Sequence, residues 1–198
     1  MNTRIILAGF LGGIAMFIWT SLAHMALPLG EAGVRELPNE SAVLSALRTN
    51  LGEKRGLYVF PGPGLGPNAT RAEKSEAMKH MNEKLAANPS GFLIYHPAGR
   101  SLRMGRLLGT EFATELLESI LVVLLLAQTR ITTFAGRLSF VTTAGILAAL
   151  ATNVSYWNWY GFPKRYTAAY MFIQVIGFFL IGIVAAFMLR KTRAVSHD

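Results

Sequence analysis

Apolar runs of membrane-spanning length recur four times in this chain, and no other feature limits its folding so strongly. They cover Ile5–Leu29 and residues 106–129, 138–156 and 168–189. A hydrocarbon core needs roughly 20 apolar residues in helical form, because lipid offers backbone N–H and C=O groups no partner outside the helix itself. With 52% of the residues hydrophobic and only 15% charged, the composition agrees with a polytopic membrane protein and disagrees with a water-soluble domain. The expected fold class is therefore an α-helical membrane protein with four transmembrane helices. A small extracytoplasmic α+β loop domain stands between helices 1 and 2.

The second run departs from the other three in carrying acids. Glu111, Glu115 and Glu118 fall within an arc of about 60° at roughly 100° per residue, and they are the only acids in the membrane-embedded part of the sequence. The uninterrupted apolar stretch from Ser119 to Thr129 is too short to span alone, so the span must reach back to about residue 110. This places Glu111 near an interface and Glu115 and Glu118 progressively deeper. On depth alone Glu118 is the acid whose burial most needs a physical account. Glu111 is explained by the interface and by the positive N-terminal end of its helix.

The first run follows a short basic start at Arg4 and is read as an uncleaved helix, because its apolar character continues past the small residues Ser21 and Ala23. Gly9 and Gly13 form a G-x-x-x-G pair, read as intramolecular helix packing rather than dimerisation. Residues 30–105 then form the sizeable water-soluble region. Within it Glu40–Leu51 predicts a helix closed by Gly52, and Leu57–Phe60 a strand running into a rigid Pro/Gly connector at residues 61–67. Thr70 and Glu73 form a capping box that opens a helix to about Ala87, and Phe92–Tyr95 is a second strand. Such a unit has a meagre core of its own.

Beyond the acidic span, a turn with Arg130 and Arg137 leads to the third span, whose Ala144, Gly145, Ala148 and Ala149 suit close packing. It leaves the membrane through Asn153–Pro163, where Trp157, Trp159 and Tyr160 read as an aromatic rim at the headgroup level. The fourth span carries Gln174 and ends at Arg190, Lys191 and Arg193. The short basic flanks predict that both termini, with the 198-residue chain's C-terminal tail, are cytoplasmic and that residues 30–105 lie outside, in the periplasm of a two-membrane cell.

With that topology His24, Glu111, Glu115, Glu118, Asn153, Tyr156 and Gln174 converge on one polar level near the outer surface. They are the candidate ligand- or proton-binding residues. No lysine or arginine lies inside a span to neutralise the acids, so each must be protonated, hydrogen-bonded, solvated or matched by a ligand or partner. No catalytic constellation and no metal motif is complete, and no cofactor is expected, with quinone, lipid or a divalent metal left open. The net charge of +8 is scattered rather than arranged as a basic stripe with aromatics, which excludes nucleic acid. The absence of cysteine excludes disulfides and thiol chemistry.

Two segments, His24–Glu31 and Asn153–Pro163, resemble uncharacterised bacterial integral-membrane proteins of similar length with an exported loop after the first span. The resemblance implies a bacterial inner-membrane location and transfers no activity or site residue. The sequence thus leads to the expectation of a non-catalytic accessory or interaction subunit of a larger membrane assembly, contacting the lipid bilayer and either other membrane-protein subunits or a second copy of itself. The alternative is a ligand-handling protein, either a proton-linked transporter or a quinone- or metal-binding enzyme, that uses the Glu/His layer.

Overall fold

The structure, a computed structural model, describes residues 3–190. Lys191, Arg193 and the rest of the tail lie outside the described residues. The chain divides into two compact units, one formed by the segments up to Val34 and from Arg103 onward, the other by Arg35–Leu102.

The first unit is built from long helices. These are α1 (Thr3–Met25), α5 (Met104–Ala127), α6 (Phe134–Ala149) continued by a π-helical turn (Leu150–Val154) and α7 (Ser155–Tyr160), and α8 (Lys164–Met188). Three are long and apolar enough to cross a membrane: Thr3–Met25, the continuous Phe134–Tyr160, and Lys164–Met188. Helix α5 has 24 residues, a comparable length, but its acids and Arg106 make it more polar. α1 packs against both α5 and α8, and α6 against α8. Ala8, Met16, Val122, Val123, Val141 and Ile181 form the centre of their shared core.

Glycine sets the spacing of α1 and α5. A Cβ on Gly13 would lie 2.8 Å from Leu116 Cα, and one on Gly9 2.9 Å from Ile120 Cα, so the two backbones touch here with nothing between them. The G-x-x-x-G pair therefore serves a contact within the chain. On the opposite side of α5, Leu117, Leu121 and Leu125 form an exposed stripe at four-residue spacing.

Helix ends depart from the sequence reading where local polar signals extend a helix past its apolar run. α6 begins at Phe134, because the Thr133 hydroxyl caps it by accepting from the Gly136 N–H at 3.1 Å. Arg137, expected in the turn, is instead buried in the first helical stretch, where its Nε donates to the Ile131 carbonyl at 3.2 Å. The aromatic segment is helical to Tyr160 and closed by Gly161 at φ 70°. α8 starts at Lys164, after Pro163 with φ −58°, so Lys164 and Arg165 belong to its first turn and not to a loop.

The second unit contains α2 (Glu40–Leu51), β1 (Gly56–Phe60), α3 (Arg71–Lys79), α4 (Met81–Ala87) and β2 (Gly91–Tyr95). The strands pair antiparallel with Gly56 opposite Tyr95 and Phe60 opposite Gly91. This register puts Leu57, Val59, Phe92 and Ile94 on one face, and all four are exposed. The other face carries Tyr58 and the buried Tyr95, whose hydroxyl donates to the Gly52 carbonyl at 2.8 Å. Helices α2, α3 and α4 bury no residue.

The capping box is present in full: Glu73 Oε2 accepts from the Thr70 N–H at 2.7 Å, and the Thr70 hydroxyl accepts from the Glu73 N–H at 3.3 Å. The expected single helix to Ala87 breaks at His80, which caps the end of α3 and the start of α4. There His80 lies 3.2 Å from Glu83 and 3.4 Å from Glu76. The hydrogen bond to Glu83, its charge, and the neighbouring Glu76 raise the His80 pKa above its ordinary 6.5. Hydrogen bonds from Thr70 lower that of Glu73 below 4.5.

Two tests follow from this packing. Gly13→Leu forces α1 away from α5 and should destabilise the helical unit by about 1–3 kcal/mol. Gly109→Ala, on α5 with nothing within 4 Å, should be neutral or slightly stabilising; thermal melts of full-length protein in detergent compare the two. In the second unit, the His80 contribution is fully present below about pH 6.5 and lost as pH rises through its raised value. The Glu73 contribution is present above about pH 4.5 and lost as pH falls through its lowered value. NMR titration should therefore find His80 above, and Glu73 below, the same residues in unfolded peptides.

Candidate functional site

In the helical unit the side chains of α1, α5, the π-helical turn and α8 surround a cavity of about 490 Å³. From α1 come Thr20, Ser21 and His24, with Met16, Phe17 and Met25 as apolar neighbours. From α5 come Glu111, Glu115 and Glu118, flanked by Leu107, Leu108 and Thr114. The third helix supplies Thr152 and Asn153, and α8 supplies Tyr170, Ile173 and Gln174. Six of the seven residues singled out from the sequence thus share one cavity wall. Tyr156 is the exception.

The three acids differ in environment. Glu111 is exposed and Glu118 half-buried, whereas Glu115 is 3% exposed. Burial therefore singles out Glu115, although depth along the helix pointed to Glu118. Depth is an axial coordinate, while burial within a bundle depends on angle around the helix, and Glu115 points between α1 and α5. Glu115 Oε2 has no hydrogen-bond partner, and Thr20 faces the same cavity from α1. The described ion pairs all lie among Glu76, Lys79, His80 and Glu83, so none neutralises these three acids.

His24 Nδ1 lies 2.9 Å from the Thr20 carbonyl oxygen. A carbonyl only accepts, so this nitrogen carries the hydrogen and leaves Nε2 as the acceptor of the neutral ring. The imidazole meets Tyr170 edge-on at 5.7 Å, and Tyr170 stacks on Tyr166 at 4.2 Å. Contacts continue through Phe162 to Tyr156 and Tyr160. Tyr156 therefore stands outside the cavity and is joined to it by an aromatic ladder. Trp157 and Trp159, the expected rim, are exposed beside that ladder.

Asn153 is positioned by the π-helical turn, a local widening that often accompanies functional sites in helices. Its side-chain amide donates to the Ala149 carbonyl at 3.0 Å and to Gln174 Oε1 at 3.4 Å, tying the third helix to α8. Trp19 ties α1 to α8, its indole N–H donating to the Ile173 carbonyl at 2.9 Å. Sequence reasoning gave no role to Tyr166, between the third and fourth apolar runs, or to Thr20, and included Phe162 only within the aromatic exit at residues 153–163.

Among the described residues, no group of three His, Asp or Glu side chains could hold a metal ion. The cavity's chemistry is that of a mixed surface: acids and hydroxyls along one side, aliphatic and aromatic walls around them. No protein-family model, no curated protein and no solved structure matches this chain.

Proposed function

We propose that the protein binds an amphiphilic ligand within a bacterial inner membrane, using this cavity. The reading is carried by Glu115, a buried carboxyl group with an unpaired oxygen on the wall of a cavity of about 490 Å³. Volumes of roughly 300–1,000 Å³ suit small-molecule ligands, and an unsatisfied buried polar atom invites a group that satisfies it. His24, Glu111, Glu118, Asn153 and Gln174 surround the ligand, and the aromatic ladder from His24 to Tyr160 links the cavity to the exposed Trp157 and Trp159.

In this proposal α5 is the fourth span. Its 24 residues reach about 36 Å at 1.5 Å per residue, its acids face the cavity, and Leu117, Leu121 and Leu125 face lipid. With four spans both termini share one side, and the basic flanks at Arg4 and Arg130 favour the cytoplasm for that side, with the Arg35–Leu102 unit outside. A second reading, an accessory subunit of a membrane assembly, is favoured by one observation: the exposed apolar sheet face of Leu57, Val59, Phe92 and Ile94.

The cysteine-free sequence makes the topology directly testable. A membrane-impermeant maleimide applied to intact spheroplasts should label Ser90→Cys and spare Thr132→Cys. Equal labelling of both sites removes α5 as a span. Native mass spectrometry from mild detergent tests the ligand: wild-type protein should retain a small amphiphile that Glu115→Gln loses while still melting cooperatively. Recovery of a protein partner with no small molecule would favour the subunit reading.

A further inference from the structure

We infer that the cavity takes a monovalent organic cation, a charge of the ammonium or phosphonium kind carried on an apolar body. The inference rests on the ligand-binding reading above and adds the sign of the ligand's charge. Three carboxyls, one imidazole and the Tyr170 phenol are the ionisable groups on the wall, and no lysine or arginine lines the cavity. Within this inventory Glu115 is 3% exposed, with Oε2 unpartnered.

Other ligand chemistries fit these walls less well. An anion would meet three acids. A bare metal ion needs several close oxygen or nitrogen ligands, and among the described residues no such group of three exists. A neutral acceptor such as a quinone would leave three carboxyl groups on the wall without a counter-charge, and the Asn153 amide, one of the donors there, is already engaged with Ala149 and Gln174. A cation asks for acceptor oxygens, which the three carboxyl groups supply, and for aromatic neighbours such as Phe17 and Tyr170 on the same wall. Leu107, Leu108 and Met25 supply the apolar surface for its body. The same ammonium chemistry comes from two sources, a free organic cation or the headgroup of phosphatidylethanolamine.

The test uses the full chain in phosphatidylglycerol nanodiscs, with empty nanodiscs subtracted, and two ions of one shape and opposite charge. Calorimetry should find saturable binding of tetraphenylphosphonium and none of tetraphenylborate. Glu115→Gln should weaken the phosphonium by roughly tenfold or more, because it removes a buried charge partner. Glu118→Gln, at a half-buried position, should weaken it to a smaller extent and stands in should the first variant not fold, with melting curves as the control. Adding phosphatidylethanolamine separates the sources: competition identifies the lipid headgroup, lack of competition a free organic cation, and both sustain the inference. Equal binding of the two ions, or phosphonium binding unchanged in both variants, overturns it. That result leaves the ligand reading standing if the co-purified amphiphile still depends on Glu115, whereas loss of both signals removes the two together.

Discussion

The close approach of α1 and α5 is the constraint on which the helical unit depends. Along the first half of α1, Gly9, Gly12 and Gly13 let backbone meet backbone, and the Ser119 side chain of α5 fits against Gly12. Along the second half the residues are larger. Phe17 meets Phe112 edge-on at 5.2 Å, and Thr20, Ser21 and His24 follow. Side chains of that size hold the backbones apart, so one pair of helices is sealed at one end and open at the other. The cavity is the open end, and α8 and the π-helical turn complete its walls.

Placing a carboxyl group in this position has an energetic consequence. An acid at the centre of a span costs roughly 2.5–3.5 kcal/mol on insertion scales when it faces lipid. Here the acids face a cavity whose other walls carry hydroxyls, amides and an imidazole, which lowers the cost without removing it. One oxygen of Glu115 is left without a partner. Asn153, by contrast, donates to the Ala149 backbone carbonyl and to Gln174 Oε1. These two buried groups on the same cavity wall thus differ: one joins two helices and the other keeps an oxygen free.

What could be read from the sequence follows the range of the interactions involved. The capping box of Thr70 and Glu73, the stop at Gly52 and both short strands depend on neighbours within a few residues, and they were legible. The apolar segments of α1, α6 and α8 were legible because hydropathy sums over a whole helix. The break at His80 was not, since its residues all suit a helix; nor was the π-helical turn, a choice between hydrogen-bonding registers that composition does not encode. The rank of Glu115 over Glu118 required knowing where α1 lies around α5. The ladder through Tyr166 and Phe162 required knowing that α8 starts at Lys164, a start that Pro163 signalled and that an apolar-run criterion overlooked.

The same distinction bears on how α5 should be understood. A composition average weights every face of a helix equally, and by that measure three glutamates and Arg106 count against a span. In the four-span arrangement proposed above, lipid meets only the outward face. On α5 that face carries Leu117, Leu121 and Leu125, while Glu115 and Glu118 turn inward and Val122, Val123 and Leu126 enter the core. A helix with an apolar outside, an apolar core seam and a polar cavity face meets each of its three surroundings on that surroundings' own terms. Its intermediate average polarity is then the arithmetic result of having three faces. That average alone therefore does not decide whether the helix crosses a bilayer.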